Sequence, residues 1–254
     1  EIDRLSTTFY IGAKGDEIAD YSFNYKLFGT GSGTEIKTTS VFYYNDKRAP
    51  ELSSQEQLSS AMNKSESFRG DSMAVIDRLS TTFYVGAKGD EMADYSLNYK
   101  LYGTGAGTEI KTTSVFYYSD KRAALLSASE QISAAMNKSE SYKGAVDLIA
   151  LPVAERLSTT FYVGAKGDEI ADWSRNYKLF GEGAGEVVKT TSVFNYAALD
   201  DNNDETGLVK RAALLSASEQ IQSRMVTSES FRGDSMAEID RLSTTFYVGA
   251  KGDE

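Results

Sequence analysis

The chain has 254 residues, 41% of them hydrophobic, a net charge of −10, and neither cysteine nor histidine. That is long enough to bury a core, while the missing thiols and imidazoles exclude disulfide scaffolds, thiolate nucleophiles, the usual zinc sites and the commonest general base. The acidic balance disfavours nonspecific binding to nucleic acid or anionic lipid, and no apolar run reaches the length of about 18 residues that marks a membrane span.

The dominant feature is internal repetition. Arg4-Leu5-Ser6-Thr7-Thr8-Phe9-Tyr10 returns at Arg78–Tyr84, Arg156–Tyr162 and Arg241–Tyr247. Gly-Ala-Lys-Gly-Asp-Glu follows each time, at Gly12–Glu17, Gly86–Glu91, Gly164–Glu169 and Gly249–Glu254. Such self-similarity is the mark of a repeat architecture. It divides the chain into repeats at 1–76, 77–155 and 156–237, with a strand and turn of a fourth at 238–254. The repeats are either beads on a string or stacked neighbours sharing a core. The start and the stop fall in the same segment of the repeat. That fits a window from a longer array, or a last strand that completes the fold.

Within one repeat, Leu79–Val85 is β-branched and aromatic and reads as a strand, closed by a turn at Gly86–Gly89. Asp90 to Tyr102 is ambiguous. Tyr95, Leu97, Tyr99 and Leu101 alternate as in a strand, whereas Met92, Tyr95, Tyr99 and Tyr102 follow a helical face. The helical stripe stays large in the other repeats: Ile18, Tyr21, Tyr25 and Phe28, then Ile170, Trp173, Tyr177 and Phe180. The Leu97 position is Phe23 and Arg175 elsewhere, which reads as exposed. With Asp16 as N-cap and Gly29 just past the end, the expectation is a helix. Gly103–Gly107 reads as a loop and Glu109–Tyr118 as a strand. Ser127-Ala128-Ser129-Glu130 has the form of a capping box, repeated at Ser53–Glu56 and Ser216–Glu219, and predicts a short helix. The polar stretch Asn137–Ser141 reads as loop. The expected fold class is α+β, a tandem repeat of a small sheet-plus-helix unit, because each apolar helix stripe needs a surface to cover.

Few motifs carry chemistry. Asp200, Asn202 and Asp204, in an insertion peculiar to the third repeat, have the one-three-five spacing of a calcium loop. Glu205 and Arg211 replace the glycine and glutamate such a loop requires, so a solvated acidic loop is the alternative. Arg69-Gly70-Asp71-Ser72 and Arg232–Ser235 spell a tripeptide core known from integrin ligands, or simply a polar turn. The glycine-rich Gly29–Gly33 lacks the lysine of a phosphate loop. Lys37, Lys47 and Arg48, interleaved with Phe42, Tyr43 and Tyr44, have the composition of a base-stacking platform, against which the acidic whole argues.

Almost every salient residue repeats, whereas a catalytic site is assembled once. Repetition points to contacts made once per repeat, hence multivalency. The expected function is a non-enzymatic scaffold or linker organising repeated protein subunits, without cofactor apart from the calcium reading. An extracellular adhesin or surface array is the alternative, and a carbohydrate-binding protein the third. Tyr21, Tyr25, Tyr95, Tyr99, Trp173 and Tyr177 are the candidate partner-binding residues, since large rigid aromatics give contact area at low entropic cost.

Overall fold

The computed structural model describes residues 4–26, 31–200 and 202–249. Phe28 and Gly29 of the expected first helix, Asp201 of the insertion and the last five residues of the fourth glycine turn lie outside them.

Four main strands make up each repeat. The first repeat carries β1 (Ser6–Ile11), β2 (Ile18–Tyr25), β3 (Ile36–Tyr44), the short β4 (Lys47–Arg48), helix α1 (Ser54–Ser59) and β5 (Met62–Arg69). The second carries β6 (Arg78–Val85), β7 (Met92–Tyr99), β8 (Ile110–Tyr118), β9 (Lys121–Arg122), α2 (Ala128–Ser133) and β10 (Met136–Lys143). The third carries β11 (Arg156–Val163), β12 (Ile170–Tyr177), β13 (Val188–Leu199), β14 (Glu205–Arg211), α3 (Ala217–Gln222) and β15 (Met225–Arg232), and β16 (Arg241–Phe246) follows.

By its contacts the chain forms two compact units, Glu1–Val115 with Arg122–Ile132, and Phe116–Lys121 with Ser133–Glu254. In the first, β1, β2, β3, β5, β6, β7 and β8 pair in that order; in the second, β10, β11, β12, β13, β15 and β16 do so. Within each unit the neighbouring strands are antiparallel. Sequential antiparallel neighbours need no long crossover, which matches the short connections of this sequence.

The α+β expectation is therefore corrected. Sixteen strands stand against three α-helices of six residues each among the described residues, and the repeat is a four-stranded meander with one helical turn attached. The expected helix between Asp90 and Tyr102 is strand β7. Alternation puts Tyr95, Leu97 and Tyr99 on one face, while Tyr102, the supposed last member of the helical stripe, lies beyond the strand and is 70% exposed. The Leu97 position is half-buried on the ring-bearing face, and its variant Arg175 lies over Trp173, 4.8 Å from the ring centre. Its variability between repeats reflects a ring or a guanidinium packing at the same place. The polar stretch at Asn137–Ser141 is strand β10, in which Lys138, Glu140 and Tyr142 alternate with hydroxyl residues. Its ladder with β11 holds it in place despite its polarity.

Register makes the two sheet faces chemically different. In the first unit, Thr8, Ser22, Ser40, Ser67 and Ser80 stand side by side on one face. Phe9, Tyr21, Val41, Glu66 and Thr81 form the corresponding row on the other. Small hydrophobic clusters close the strand ends: Ile18, Tyr44, Ala49 and Leu52 pack together with Phe42 and Met62, and Tyr196, Ala212 and Leu215 do the same in the third repeat. The capping boxes form as the sequence suggests. The Ser53 hydroxyl accepts from the Glu56 amide, and Glu56 accepts from the Ser53 amide at 2.8 Å.

Candidate functional site

Two arrangements recur with the repeat, a pair of stacked rings and a charged seam. The rings come from the first two strands. Phe9 faces Tyr21, Phe83 faces Tyr95 and Phe161 faces Trp173 in equivalent registers. Ring centres are 4.4, 4.5 and 4.1 Å apart, with planes within 15° of parallel. All six rings keep some exposure, Phe9 the most among the first two pairs. Aromatic pairs of this kind are rigid and present flat apolar area. Within the first unit the two pairs lie four strands apart, about 19 Å by ordinary strand spacing.

Of the candidate partner-binding residues, Tyr21, Tyr95 and Trp173 therefore sit in the accessible stacks. Tyr25, Tyr99 and Tyr177 are buried. Their hydroxyls donate to Thr7, Thr81 and Thr159, and Arg4, Arg78 and Arg156 lie over their rings. These three rings hold strands together.

The seam is built around Glu66 and, one repeat on, Glu140. Glu66 pairs with Arg78 at 3.0 Å and accepts from the Tyr43 hydroxyl at 2.9 Å. Arg78 also donates to the Gly107 carbonyl through two nitrogens, at 3.1 and 2.9 Å. Glu140 accepts from Tyr117 at 2.9 Å and Tyr142 at 2.6 Å, and pairs with Arg156 and Lys138. Burial alone would raise the Glu140 carboxyl, but the two hydroxyls and the two cations outweigh it and hold it below its ordinary value. The same contacts act oppositely on the donors. Burial, then the bond and charge of Glu66, push Tyr43 up to about 12, and burial with Glu140 pushes Tyr142 well above its ordinary value. Charge-assisted bonds of this type are the strong ones.

The third repeat departs from this pattern. Asn195 stands where Tyr43 and Tyr117 stand, and Thr227 where Lys64 and Lys138 stand. Asn195 bonds Thr227 at 3.2 Å instead of reaching the glutamate. The smaller side chains leave an open cavity of about 410 Å³ lined by Asn195, Val209, Thr227, Glu229, Arg241 and Phe246. Val209 belongs to β14, the arm made by the third repeat's insertion.

The acidic insertion itself closes a hairpin. The Asp200 carboxylate accepts from the amides of Asn202 and Asp204, and the Asp200 amide donates to the Asp204 carbonyl. Both bonds direct that carboxylate to the backbone, as in a side-chain-closed turn. Among the described residues no group of three or more histidine, cysteine, aspartate or glutamate side chains is gathered as a metal site would be.

Several charged side chains of the remaining motifs are engaged within the chain, while Gly29 and Thr30 of the glycine-rich segment lie outside the described residues. Arg69 pairs with Asp77, and Asp234 with Arg175 through two bonds at 2.7 and 2.8 Å. Gly70 and Gly233 donate to Lys37 and Lys189, so both Arg-Gly-Asp segments serve as the turn that ends a strand. Lys47 pairs with Glu56, and Arg48 grips Asp20 through two bonds. No helix among the described residues is long and apolar enough to cross a membrane.

Sequence reasoning missed Phe9, Phe83 and Phe161 as the stack partners, and the glutamates of the seam. The signal was there for the latter: Lys-Ser-Glu-Ser followed by an aromatic alternates with period two, as a strand does. No protein-family model matches the chain, and no curated protein is similar to it in sequence.

Proposed function

We propose that the chain is a non-enzymatic, multivalent binding protein, a scaffold or linker that engages equivalent sites on repeated protein partners through its ring stacks. The single observation behind this reading is the recurrence of Phe9–Tyr21, Phe83–Tyr95 and Phe161–Trp173 with one register and one geometry, while Tyr25, Tyr99 and Tyr177 of the same strands are buried. Weak contacts repeated on one chain add through effective concentration. The close acid–base pairs, Glu66 with Arg78 and Glu140 with Arg156, are matched opposites, a structural use of charge that supports a role without catalysis.

The test uses proteins copurified with the chain from its native source. Trp173 is the sole tryptophan, so its emission reports on one stack. A partner should shift it. Tyr21→Ala, Tyr95→Ala and Trp173→Ala should each weaken binding by a similar factor, and the factors should multiply. Binding abolished by one substitution and untouched by the others would sink the multivalent reading. A second reading, carbohydrate binding, is favoured by the flatness of the ring pairs, since sugar rings offer apolar faces of similar size. A glycan array separates the two: binding there that the same substitutions remove would favour the sugar.

A further inference from the structure

The cavity of the third repeat lies where two long side chains stand in the other repeats. β13 and β15 each have a strand on either side, so the space above them is set by the side chains they carry. In the first repeat Tyr43 stands opposite Lys64, and Lys64 opposite Phe83. In the third, Asn195 stands opposite Thr227, and Thr227 opposite Phe246, in the same register. The Lys64 ammonium lies over the Tyr43 ring, 4.1 Å from its centre, and Lys138 lies over Tyr117 at the same distance. A phenol and a lysine are thus exchanged together for two short side chains, which are themselves buried and bonded to one another.

The carboxylate that this phenol serves is retained. Oε1 of Glu66 takes Arg78, and its Oε2 takes the Tyr43 hydroxyl. Glu140 divides its oxygens the same way, Oε1 toward Arg156 and Oε2 toward Tyr117. Glu229 keeps the cation, with Arg241 on Oε1 at 2.8 Å, but no tyrosine among the described residues reaches its Oε2. A partly desolvated carboxylate gains from a donor at that oxygen. The third repeat also supplies an apolar wall. The residue before the Lys-Arg pair is Asp46 or Asp120 in the first two repeats and Val209 in the third, and the lengthened β14 brings it to the cavity.

We propose that this cavity is a binding site for a phenolic ring carried by a ligand, seated where Tyr43 and Tyr117 sit in the other repeats. Its hydroxyl donates to Oε2 of Glu229, and its apolar body rests against Val209 and Phe246. The chain's own tyrosines define the fit, and a volume of about 410 Å³ has room for a substituted ring. Glu229 and Arg241 already neutralise one another, so the site favours a neutral donor over a second charge. It belongs to the third repeat and is independent of the ring stacks. Two sources offer the same chemistry, a free phenol and the tyrosine side chain of a peptide.

The full 254-residue chain, isotope-labelled for amide NMR, is titrated with p-cresol, which is the tyrosine side chain alone. The amides of Asn195, Thr227 and Glu229 should shift and saturate. The methyl ether of p-cresol has the same ring without the donor and should bind about tenfold more weakly, the usual contribution of a hydrogen bond to a charged group. Asn195→Tyr with Thr227→Lys restores the residues of the first two repeats. That chain should resist urea at least as well as the natural one and lose the binding. N-acetyl-tyrosine amide represents the second source: a tighter complex than that of p-cresol assigns the site to a peptide tyrosine, a weaker one to a free phenol. Shifts that do not saturate, or a methyl ether that binds as tightly as p-cresol, would overturn the proposal on the natural chain alone. A refilled chain that binds p-cresol as well as the natural one would do the same.

Discussion

At Gly107 a single added carbon would stand 1.6 Å from the Val75 carbonyl oxygen, and the backbone there has φ of +69°. Gly185 repeats the arrangement against Val153 at 1.7 Å. The glycine lets the loop close over the turn that precedes β6, and its carbonyl then accepts from Arg78. Gly103→Ala meets open space and carries only the left-handed backbone cost of about 1–2 kcal/mol. Gly107→Ala adds a clash with backbone and should cost about 3 kcal/mol or more, as measured by urea denaturation of the two variants side by side. The seam tyrosines offer a second test. Tyr117→Phe removes one of two hydroxyl donors to a buried carboxylate, so it should cost about 1–2 kcal/mol. It should also raise the Glu140 pKa, readable by NMR titration of the carboxyl carbon.

The six-residue helices depend on their caps. The carboxyl of Glu219 is held down to about 2, against an ordinary 4.5, first by the Ser216 amide and then by Lys210 and the Ser216 hydroxyl. Glu56 is held down to about 2 by Lys47 and Ser53. A depressed carboxyl pKa means that the folded chain binds fewer protons than the unfolded chain between these values. The stabilisation is full above about pH 4.5 and is lost as pH falls towards 2. Circular dichroism during acid titration should show the loss in that window, and Glu56→Gln with Glu219→Gln should flatten it. Ser216→Ala should cost about 0.5–2 kcal/mol at neutral pH. These caps were legible because a capping box is a local device, made by residues three apart. The strand at Asn137–Ser141 was not, because nothing local makes Lys-Ser-Glu-Ser a strand. Its stability comes from neighbours distant in sequence, among them Ser139 opposite Thr160 and Glu140 opposite Thr159.

Across the first unit, β5 of the first repeat and β6 of the second are adjacent members of one ladder, with Ser65 opposite Thr82 and Ser67 opposite Ser80. The repeats therefore meet through strand pairing, with Arg78 and Glu66 binding the seam. Their side chains are 20% and 12% exposed, so removing one partner leaves the other largely desolvated. Arg78→Ala should cost about 3 kcal/mol. Hydrogen exchange should show lost protection in both β5 and β7, on either side of the seam. A loss confined to β6 would mean that the repeats unfold as separate beads.

The sequence by itself determined the repetition, the positions of the strands that open each repeat, the glycine turns and the helix caps, all of which rest on contacts within a few residues. It also identified Tyr21, Tyr95 and Trp173 as large aromatics recurring at one place. Only the tertiary structure decided that their segment is a strand and that Tyr25, Tyr99 and Tyr177 are buried, each beneath an arginine of the preceding strand's start. Large residues at 95, 97, 99 and 101 fit strand spacing while those at 92, 95, 99 and 102 fit a helical face, and the choice falls to the pairing of Tyr95 with Phe83 on one side and Val115 on the other. Each residue is placed by the strands beside its own, and that is settled by hydrogen bonding between neighbouring strands, as where Glu66 stands opposite Thr81 and Tyr95 opposite Val115.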